Sequence, residues 1–475
     1  MELNHIAERL KKIAGNDAVI HASNALIAYE CDALTVDRDV PDMVIIPRTT
    51  EQVVEIVKVL HNEQIPFVPR GAGTGLSGGA LTVGGGVILS TTRLNQILNV
   101  DIRNRRALVE PGVVNLNITK AVQAQGYHFA PDPSSQGACT VGGNINNNSG
   151  GPHTLKYGVT VNHVLSVQVV LPNGELVWLG GESDSNPGYD LTGAFVGSEG
   201  TFGVVVKAWV KLTRLPAAHR TMLAVFDRAE DAISTISEII AAGIIPAALE
   251  MLDVMAIKAV EEAFNVGLPL DAGAVLIIEL DGLEAGLDSQ MERVLQICRE
   301  TNTREVRHAT TDSERGRLWT ARKRAFGALG RLSPNYLTQD GVVPRTKLPQ
   351  IMEYVYSVGK KYNVGVANVF HAGDGNTHPC ILYNESDPDS VNRALQASTD
   401  IIVKCIELGG SVTGEHGIGI EKQNLMPLMF SEDDLNVMAK VKSAFNPDGL
   451  LNPKKVFPTN KGCIEIAGMR KAAAL

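Results

Sequence analysis

Pro69-Arg-Gly-Ala-Gly-Thr-Gly-Leu-Ser-Gly-Gly-Ala-Leu81 is the stretch from which the rest of the chain is read. Glycine at 71, 73, 75, 78 and 79 removes the Cβ atoms along one turn, so backbone N–H groups can close on an anion that side chains would hold away. A diphosphate fits such a cradle. Gly73-x-Gly75-x-x-Gly78 spells a dinucleotide-binding pattern, which needs a strand before it and a helix opening inside it. The helix is missing: Gly79 to Val83 run into Gly84, Gly85 and Gly86 with no helical period and poor helix propensity. The stretch reads as a phosphate cradle built differently from doubly wound nucleotide folds. The alternative is a flexible glycine loop without a ligand.

Upstream, Met43 to Ile46 reads as a short buried strand, and Thr49-Thr-Glu-Gln52 as the capping box of a helix with Val53, Val54, Ile56, Val57 and Leu60 on one face. Phe67 and Val68 form the next strand, so a β-α-β unit delivers the chain into the glycine stretch. Downstream come strands at Val87–Ser90 and Ala107–Glu110, a helix capped by Asn115 and ending at Gly126, and a hairpin turned by Asn173-Gly174. A long β-branched strand within Thr201–Leu212 closes this part. Two more groups of small residues lie inside it: Cys139-Thr-Val-Gly-Gly-Asn-Ile-Asn-Asn-Asn-Ser-Gly-Gly151 with Lys156-Tyr-Gly158, and Gly197-Ser-Glu-Gly200. Three such groups over about 130 residues suggest one extended ligand that touches all three.

After Pro216 the texture changes to strand Met222–Phe226, helix Ala229–Ala242, strand Val275–Leu280, and helices Leu283–Arg299, Asp312–Leu329 and Leu348–Tyr362. Strand Val364–Phe370 and helices Ser390–Leu408 and Ser431–Ala444 follow. This alternation fits an α+β domain with helices over an antiparallel sheet. At 475 residues, with 44% hydrophobic and 20% charged, the chain is long enough for two or three domains. Its net charge of −9 argues against a nucleic-acid partner and gives no cause to invoke an acidic membrane surface. The start, Met1 to Leu10, reads as a charged amphipathic helix rather than a signal peptide, and no run reaches the roughly 18 apolar residues of a membrane span. A cytoplasmic protein without direct membrane insertion is expected. Cys31, Cys139, Cys298, Cys380, Cys405 and Cys463 lie far apart, which suggests neither a disulfide framework nor an iron–sulfur cluster.

Phe370-His-Ala-Gly-Asp-Gly-Asn-Thr-His-Pro379 sets His371 and His378 on either side of a glycine turn, and Gly414-Glu-His-Gly-Ile-Gly419 supplies Glu415 and His416. Two histidines and a carboxylate form a common shell for zinc or another divalent first-row metal, with a position left for substrate. The alternative is that these are hydrogen-bonded loop residues. Arg315, Trp319 and Arg322 fall on one face of a basic helix, where a guanidinium can hold a carboxylate. Solvated surface charge is the alternative for that cluster.

Together, the loop 69–81, the segment Thr140–Gly151, Gly197-Ser-Glu-Gly-Thr-Phe-Gly203, and His371 and His378 with Glu415-His416 resemble the FAD-linked oxidases of the vanillyl-alcohol-oxidase type. Within that superfamily the chain is most similar to the branch of glycolate oxidase flavin subunits, with D-lactate and D-2-hydroxyglutarate dehydrogenases nearby. The resemblance implies a two-subdomain FAD-binding domain over 1–215, an α+β substrate or cap domain over 216–410, and a short helical C-terminal segment, 411–475, that returns to the flavin. It implies that Pro69, Arg70, Gly71, Ala72, Gly73, Thr74, Gly75, Leu76, Ser77, Gly78 and Gly79 wrap the FAD diphosphate. Pro131, Asp132, Pro133, Ser134, Ser135, Gly142, Gly143, Asn147, Ser149, Gly150, Tyr157 and Gly158 would line the isoalloxazine and ribityl, with Glu199, Gly200, Val204 and Val205 near the adenine side. The flavin would be non-covalent, because the loop has no histidine or cysteine for attachment.

By the same resemblance His371, His378 and Glu415 bind a divalent metal (zinc, manganese or iron), His416 is the base, and Arg322 meets the substrate carboxylate. Thr338 stands where the hydroxyglutarate enzymes have a lysine for a distal carboxylate, and Cys380 where they have an asparagine. Both departures favour a short monocarboxylate. The implied reaction is oxidation of a small 2-hydroxy acid, glycolate or D-lactate, to the 2-oxo acid. Its electrons would pass onward to a partner, the iron–sulfur and second flavin-type subunits of a glycolate oxidase complex. The rivals are a D-lactate or D-2-hydroxyglutarate dehydrogenase, a non-catalytic flavin subunit and, more weakly, a non-redox transferase on the same fold.

Overall fold

Met43–Ile45, Phe67–Arg70 and Val87–Ser90 are short runs covered on both faces, and they lie parallel with Val87–Ser90 in the middle. Parallel strands need crossovers. One is the helix Thr50–Asn62, begun by Thr49, whose hydroxyl accepts from the Gln52 amide at 3.2 Å. The other is the glycine stretch, which runs from Arg70 to Val87 without forming a helix and so does not commit its amides to helical bonds. Residues near the C-terminus close the strand that feeds this loop: the Phe67 amide donates to the Leu450 carbonyl at 2.9 Å, and the Asn452 amide to the Phe67 carbonyl at 2.8 Å. Leu450, Leu451 and Phe67 share one hydrophobic core with Leu10, Ile45, Ile56, Leu60, Leu89 and Val206.

The computed structural model describes residues 2–183, 188–371 and 373–458. Cys463, and the part of the expected segment 411–475 beyond 458, lie outside the described residues. The other five cysteines are free, and all but Cys31 are buried. Among the described residues no helix is long and apolar enough to cross a membrane.

The chain folds as two compact units. One comprises Met1–Ser149, Val159–Leu215 and Glu415–Leu475, and the other Gly150–Gly158 with Pro216–Gly414. In the first unit an antiparallel sheet in the order Ile97–Asp101, Arg106–Val109, Val204–Lys211, Val164–Val170, Leu176–Gly180 accompanies the parallel one and packs a second core around Val109, Ile118, Ile145, Val167 and Phe195. In the second unit Ala218–Phe226, Ala274–Gly282, Ala248–Asp253 and Val366–His371 are consecutive neighbours in a nine-stranded antiparallel sheet. Helices Val254–Phe264, Asp312–Lys323 and Ala325–Leu329 pack on one of its cores.

Several local expectations change. Gly150–Gly158, read as part of 1–215, belongs to the second unit, because Lys156 and Tyr157 both bond to Asp281 there. The unit boundary lies at Gly414/Glu415 rather than at 410/411. Asn115 is not a cap: Val114 holds that position, and the buried Asn115 amide donates to the Pro131 carbonyl and to Asn144, each at 3.0 Å. The helix ends at Val122, and a 3-10 turn fills Gln123–Gln125. The expected helix Asp312–Leu329 breaks at Arg324. Strand Ala248–Asp253 and helix Val254–Phe264 carry no such expectation from sequence, because an apolar run of this length suits either element.

Candidate functional site

The glycine loop is wound around a cation. The Arg70 guanidinium turns back and donates to the carbonyls of Cys31 (2.7 Å), Tyr29 (3.3 Å) and Ala80 (3.4 Å). Gly73, at φ 70°, lies so close that a Cβ there would sit 2.5 Å from Arg70 Nη2. The Arg70 side chain therefore braces the loop from within the same unit. Asp32, which sequence reading missed, lies beneath the same loop and accepts from the amides of Leu34 (2.9 Å) and Ala80 (3.4 Å). Burial pushes its carboxyl up to about 6.

The loop meets the asparagine-rich segment directly. A Cβ on Gly71 would lie 2.3 Å from Thr140 Oγ1, and one on Gly142 would lie 2.6 Å from Pro111 Cβ. Thr140 Oγ1, Asn146 Oδ1 and Ser198 Oγ are buried polar atoms without a hydrogen-bond partner among the described residues. Each such atom costs about 1–3 kcal/mol unless a ligand satisfies it, and a cofactor bearing ribityl hydroxyls and a diphosphate is suited to do so. Pro131 to Ser135, Gly142, Gly143, Asn147 and Ser149 lie in the unit that carries the loop, whereas Gly150, Tyr157 and Gly158 lie in the other. Tyr157 donates its hydroxyl to Asp281 at 2.6 Å. The side chains of Val204 and Val205 are spent in two different cores, which leaves only their backbone for a ligand.

In the same unit the half-buried residues Glu415, His416 and Gly417 run along the loop. Ser77 Oγ donates to the carbonyls of His416 (2.9 Å) and Gly417 (3.0 Å), and Asn147 Nδ2 donates to the His416 carbonyl (3.1 Å). Glu199, expected near the adenine side, accepts from the amides of Ile418 and Gly419, both at 2.7 Å. Burial pushes its carboxyl up, against those two donors and the ammonium groups of Lys422 and Lys455.

In the second unit the basic helix divides its cations between two buried glutamates on adjacent strands. Arg315 (2.8 and 2.6 Å) and Trp319 Nε1 (2.8 Å) donate to Glu279, which Thr221 also meets at 2.6 Å. Arg322, fully buried, pairs through Nε with Glu250. These two arginines are thus held in place rather than solvated, and Arg315 and Trp319 serve Glu279 instead of joining Arg322. Arg322 Nη1 is buried and has no partner among the described residues, so one guanidinium nitrogen remains for an anion.

Glu250 is the strand partner of His371 and stands 2.9 and 3.0 Å from His371 Nδ1. Arg322 Nη2 also approaches Nδ1, at 3.2 Å, but arginine only donates. A proton on Nδ1 given to the carboxylate suits the two short contacts better than a lone pair turned to Arg322. His378 Nδ1 lies 3.1 Å from the Gln339 carbonyl, which only accepts, so this nitrogen too carries the proton. In the neutral imidazole that such a bond selects, Nε2 is the atom that carries the lone pair. The two rings stand 5.1 Å apart and perpendicular, a donor set that fits a divalent metal with its outer hydrogen bonds already in place. Thr338 and Cys380 are cross-strand partners, with Oγ1 and Sγ 3.6 Å apart. Burial pushes the Cys380 thiol up to about 12. Asp340 accepts from Thr413 and from the Gly414 amide, the latter at 2.8 Å.

Residues 215–456 match the model of the C-terminal domain of FAD-linked oxidases, and residues 41–180 match an FAD-binding domain. The chain belongs to the FAD-linked oxidases. Among FAD-linked oxidases it is 46% identical to "Glycolate oxidase subunit GlcD" of Escherichia coli K12, over 95% of this chain and 90% of that one. It is 31% identical to "D-lactate dehydrogenase" of Anaerostipes hadrus, over 88% of this chain and 89% of that one. The fold is shared with 4-ethylphenol oxidase from Gulosibacter chungangensis, at a TM-score of 0.79 and 18% identity over 97% of this chain and 98% of that one.

Two outcomes follow for this FAD-linked oxidase. Glu250→Ala leaves the buried Arg322 charge without its counter-ion and lowers stability by about 3–5 kcal/mol, whereas pairing it with Arg322→Met recovers most of that loss. Denaturant midpoints of the two variants measure this. Asp32, with its carboxyl raised to about 6 by burial, binds its proton more tightly in the folded state. Its contribution is therefore fully present below about pH 4 and is lost as pH rises through 6, by on the order of 2–3 kcal/mol. The difference between wild type and Asp32→Asn, followed by unfolding across that range, reports it.

Proposed function

We propose that the chain is an FAD-dependent dehydrogenase of small 2-hydroxy acids, with glycolate foremost and D-lactate second. The observation that carries the reading is the group in the second unit: two perpendicular imidazoles with both Nδ1 protons engaged, beside the buried Arg322 with one open nitrogen. The likeness to a glycolate oxidase subunit and to a D-lactate dehydrogenase supports it.

In this reading Arg322 Nη1 donates to the substrate carboxylate, its charge otherwise balanced by Glu250. His371, His378 and Glu415 hold a divalent metal, which would supply Lewis acidity toward the substrate hydroxyl. His371 and His378 present Nε2 because Glu250 and Gln339 hold their Nδ1 protons. The imidazole of His416 takes the hydroxyl proton. Bound FAD supplies the acceptor for the C2 hydride as the alcohol becomes the 2-oxo acid. Thr338, uncharged, buried and paired with Cys380, offers no cation to a second carboxylate, which favours glycolate and D-lactate over D-2-hydroxyglutarate. The electrons pass to iron–sulfur and second flavin-type subunits, in the cytoplasm or at a membrane reached through those partners.

Anaerobic bleaching of the bound flavin by the three acids in parallel tests the reading. Glycolate and D-lactate bleach it, D-2-hydroxyglutarate does so far more slowly, and His416→Ala slows bleaching by roughly 100-fold or more. His371→Ala also loses the divalent metal, measured by elemental analysis of the purified protein. Bleaching at the wild-type rate in either variant overturns the residue roles. Flavin that no 2-hydroxy acid bleaches, in a protein without metal, points instead to a non-catalytic flavin subunit.

A further inference from the structure

Glu199 is a non-glycine residue in left-handed backbone, at φ 52°, with Gly197 (φ 87°) and Gly200 (φ 72°) beside it. Such a conformation costs on the order of 1–3 kcal/mol and persists only where the surroundings hold it. Here the surroundings are the chain around Gly417. The two Glu199 carboxylate oxygens take the amides of Ile418 and Gly419, one each, and a Cβ on Gly417 would sit 2.9 Å from Glu199 Cδ. From the glycine loop Ser77 Oγ donates to the carbonyls of His416 and Gly417, while the Ile420 amide returns to the Ser77 carbonyl at 2.9 Å. Asn147 Nδ2 is a second donor to the His416 carbonyl. The backbone from His416 to Ile420 is therefore gripped on its carbonyls by one group and on its amides by another.

A carboxylate buried only to face a flavin would have no need of two amides from a segment more than 200 positions later. We infer that Glu199 is a positioning residue for His416: it fixes the turn at 417–419 that sets where the His416 imidazole stands. The inference rests on the reading of His416 as the base. Glutamine at 199 accepts through only one of its two terminal atoms, so one of the two amides loses its partner and the turn is released.

The test is a double-mutant cycle on the FAD-loaded full chain: anaerobic flavin reduction by glycolate in wild type, Glu199→Gln, His416→Ala and the double variant. Glu199→Gln lowers the limiting rate of reduction roughly ten- to hundred-fold. Bound FAD per chain and the half-saturating glycolate concentration stay as in wild type. In the His416→Ala background the same change has no further effect, because what it positions is gone. Equal slowing in both backgrounds, loss of FAD from Glu199→Gln, or an unchanged rate overturns the inference while leaving the base assignment intact. A wild-type rate in His416→Ala removes the base assignment and the inference with it, so the two failures are told apart. Should Glu199→Gln not fold, Gly417→Ala, whose Cβ would press on Glu199 Cδ, displaces the same turn and is carried through the same cycle with the same outcomes.

Discussion

The buried ion pair of Arg322 and Glu250 is the constraint on which the second unit is built. Two charges removed from water carry a desolvation penalty of several kcal/mol each, and their attraction offsets it only when geometry and further hydrogen bonds are good. Here a sheet register supplies the geometry. Glu250 faces His371 across two antiparallel strands, and the last turn of helix Asp312–Lys323 delivers Arg322 to the same place. One interaction therefore fixes helix against sheet, sets the proton on His371 Nδ1, and leaves one guanidinium nitrogen open. Glu279, on the neighbouring strand, repeats the device with Arg315, Trp319 and Thr221, so the helix is anchored at both ends by acids that water does not reach.

What could be read in the sequence was what short-range chemistry decides. Thr49 begins its helix, Asn173-Gly174 turns its hairpin, and the run from Gly71 to Gly86 refuses a helix, each for reasons contained within a few residues. The histidines and the glycine segments were legible as types, and the family resemblance followed from them. Glu250 was not legible, because a lone acid in Ala248–Asp253 declares itself only through Arg322, 72 positions away. Asp32 and Gln339 escaped for a related reason: Asp32 accepts from the Ala80 amide 48 positions away and Gln339 lends its own carbonyl to His378, and a backbone group leaves no mark in sequence. Asn115 misled because its residue type suits a cap, while its buried amide was needed between Pro131 and Asn144.

The two departures from the hydroxyglutarate pattern prove to be one. Thr338 and Cys380 face each other across a pair of strands, both buried, with Gln339 next to Thr338 and His378 two residues before Cys380. A lysine at 338 opposite the thiol would carry an ammonium into that dry setting, at a desolvation cost. The two positions are thus physically coupled, and Cys380 Sγ also reaches the His378 carbonyl at 3.5 Å. Arg70 gives the complementary case in the first unit. The cation of the glycine stretch holds three carbonyls, of Tyr29, Cys31 and Ala80.

The strand Phe67–Arg70, which feeds the glycine loop, takes its outer hydrogen bonds from residues 450–452. During synthesis that strand therefore waits, with its outer edge unsatisfied, until nearly all of the chain has left the ribosome. The second unit, whose largest part is continuous from Pro216 to Gly414, is fully encoded before those residues. The cradle's strands are thus encoded within the first ninety residues, yet the strand that feeds the loop cannot be closed until residues 450–452 are available.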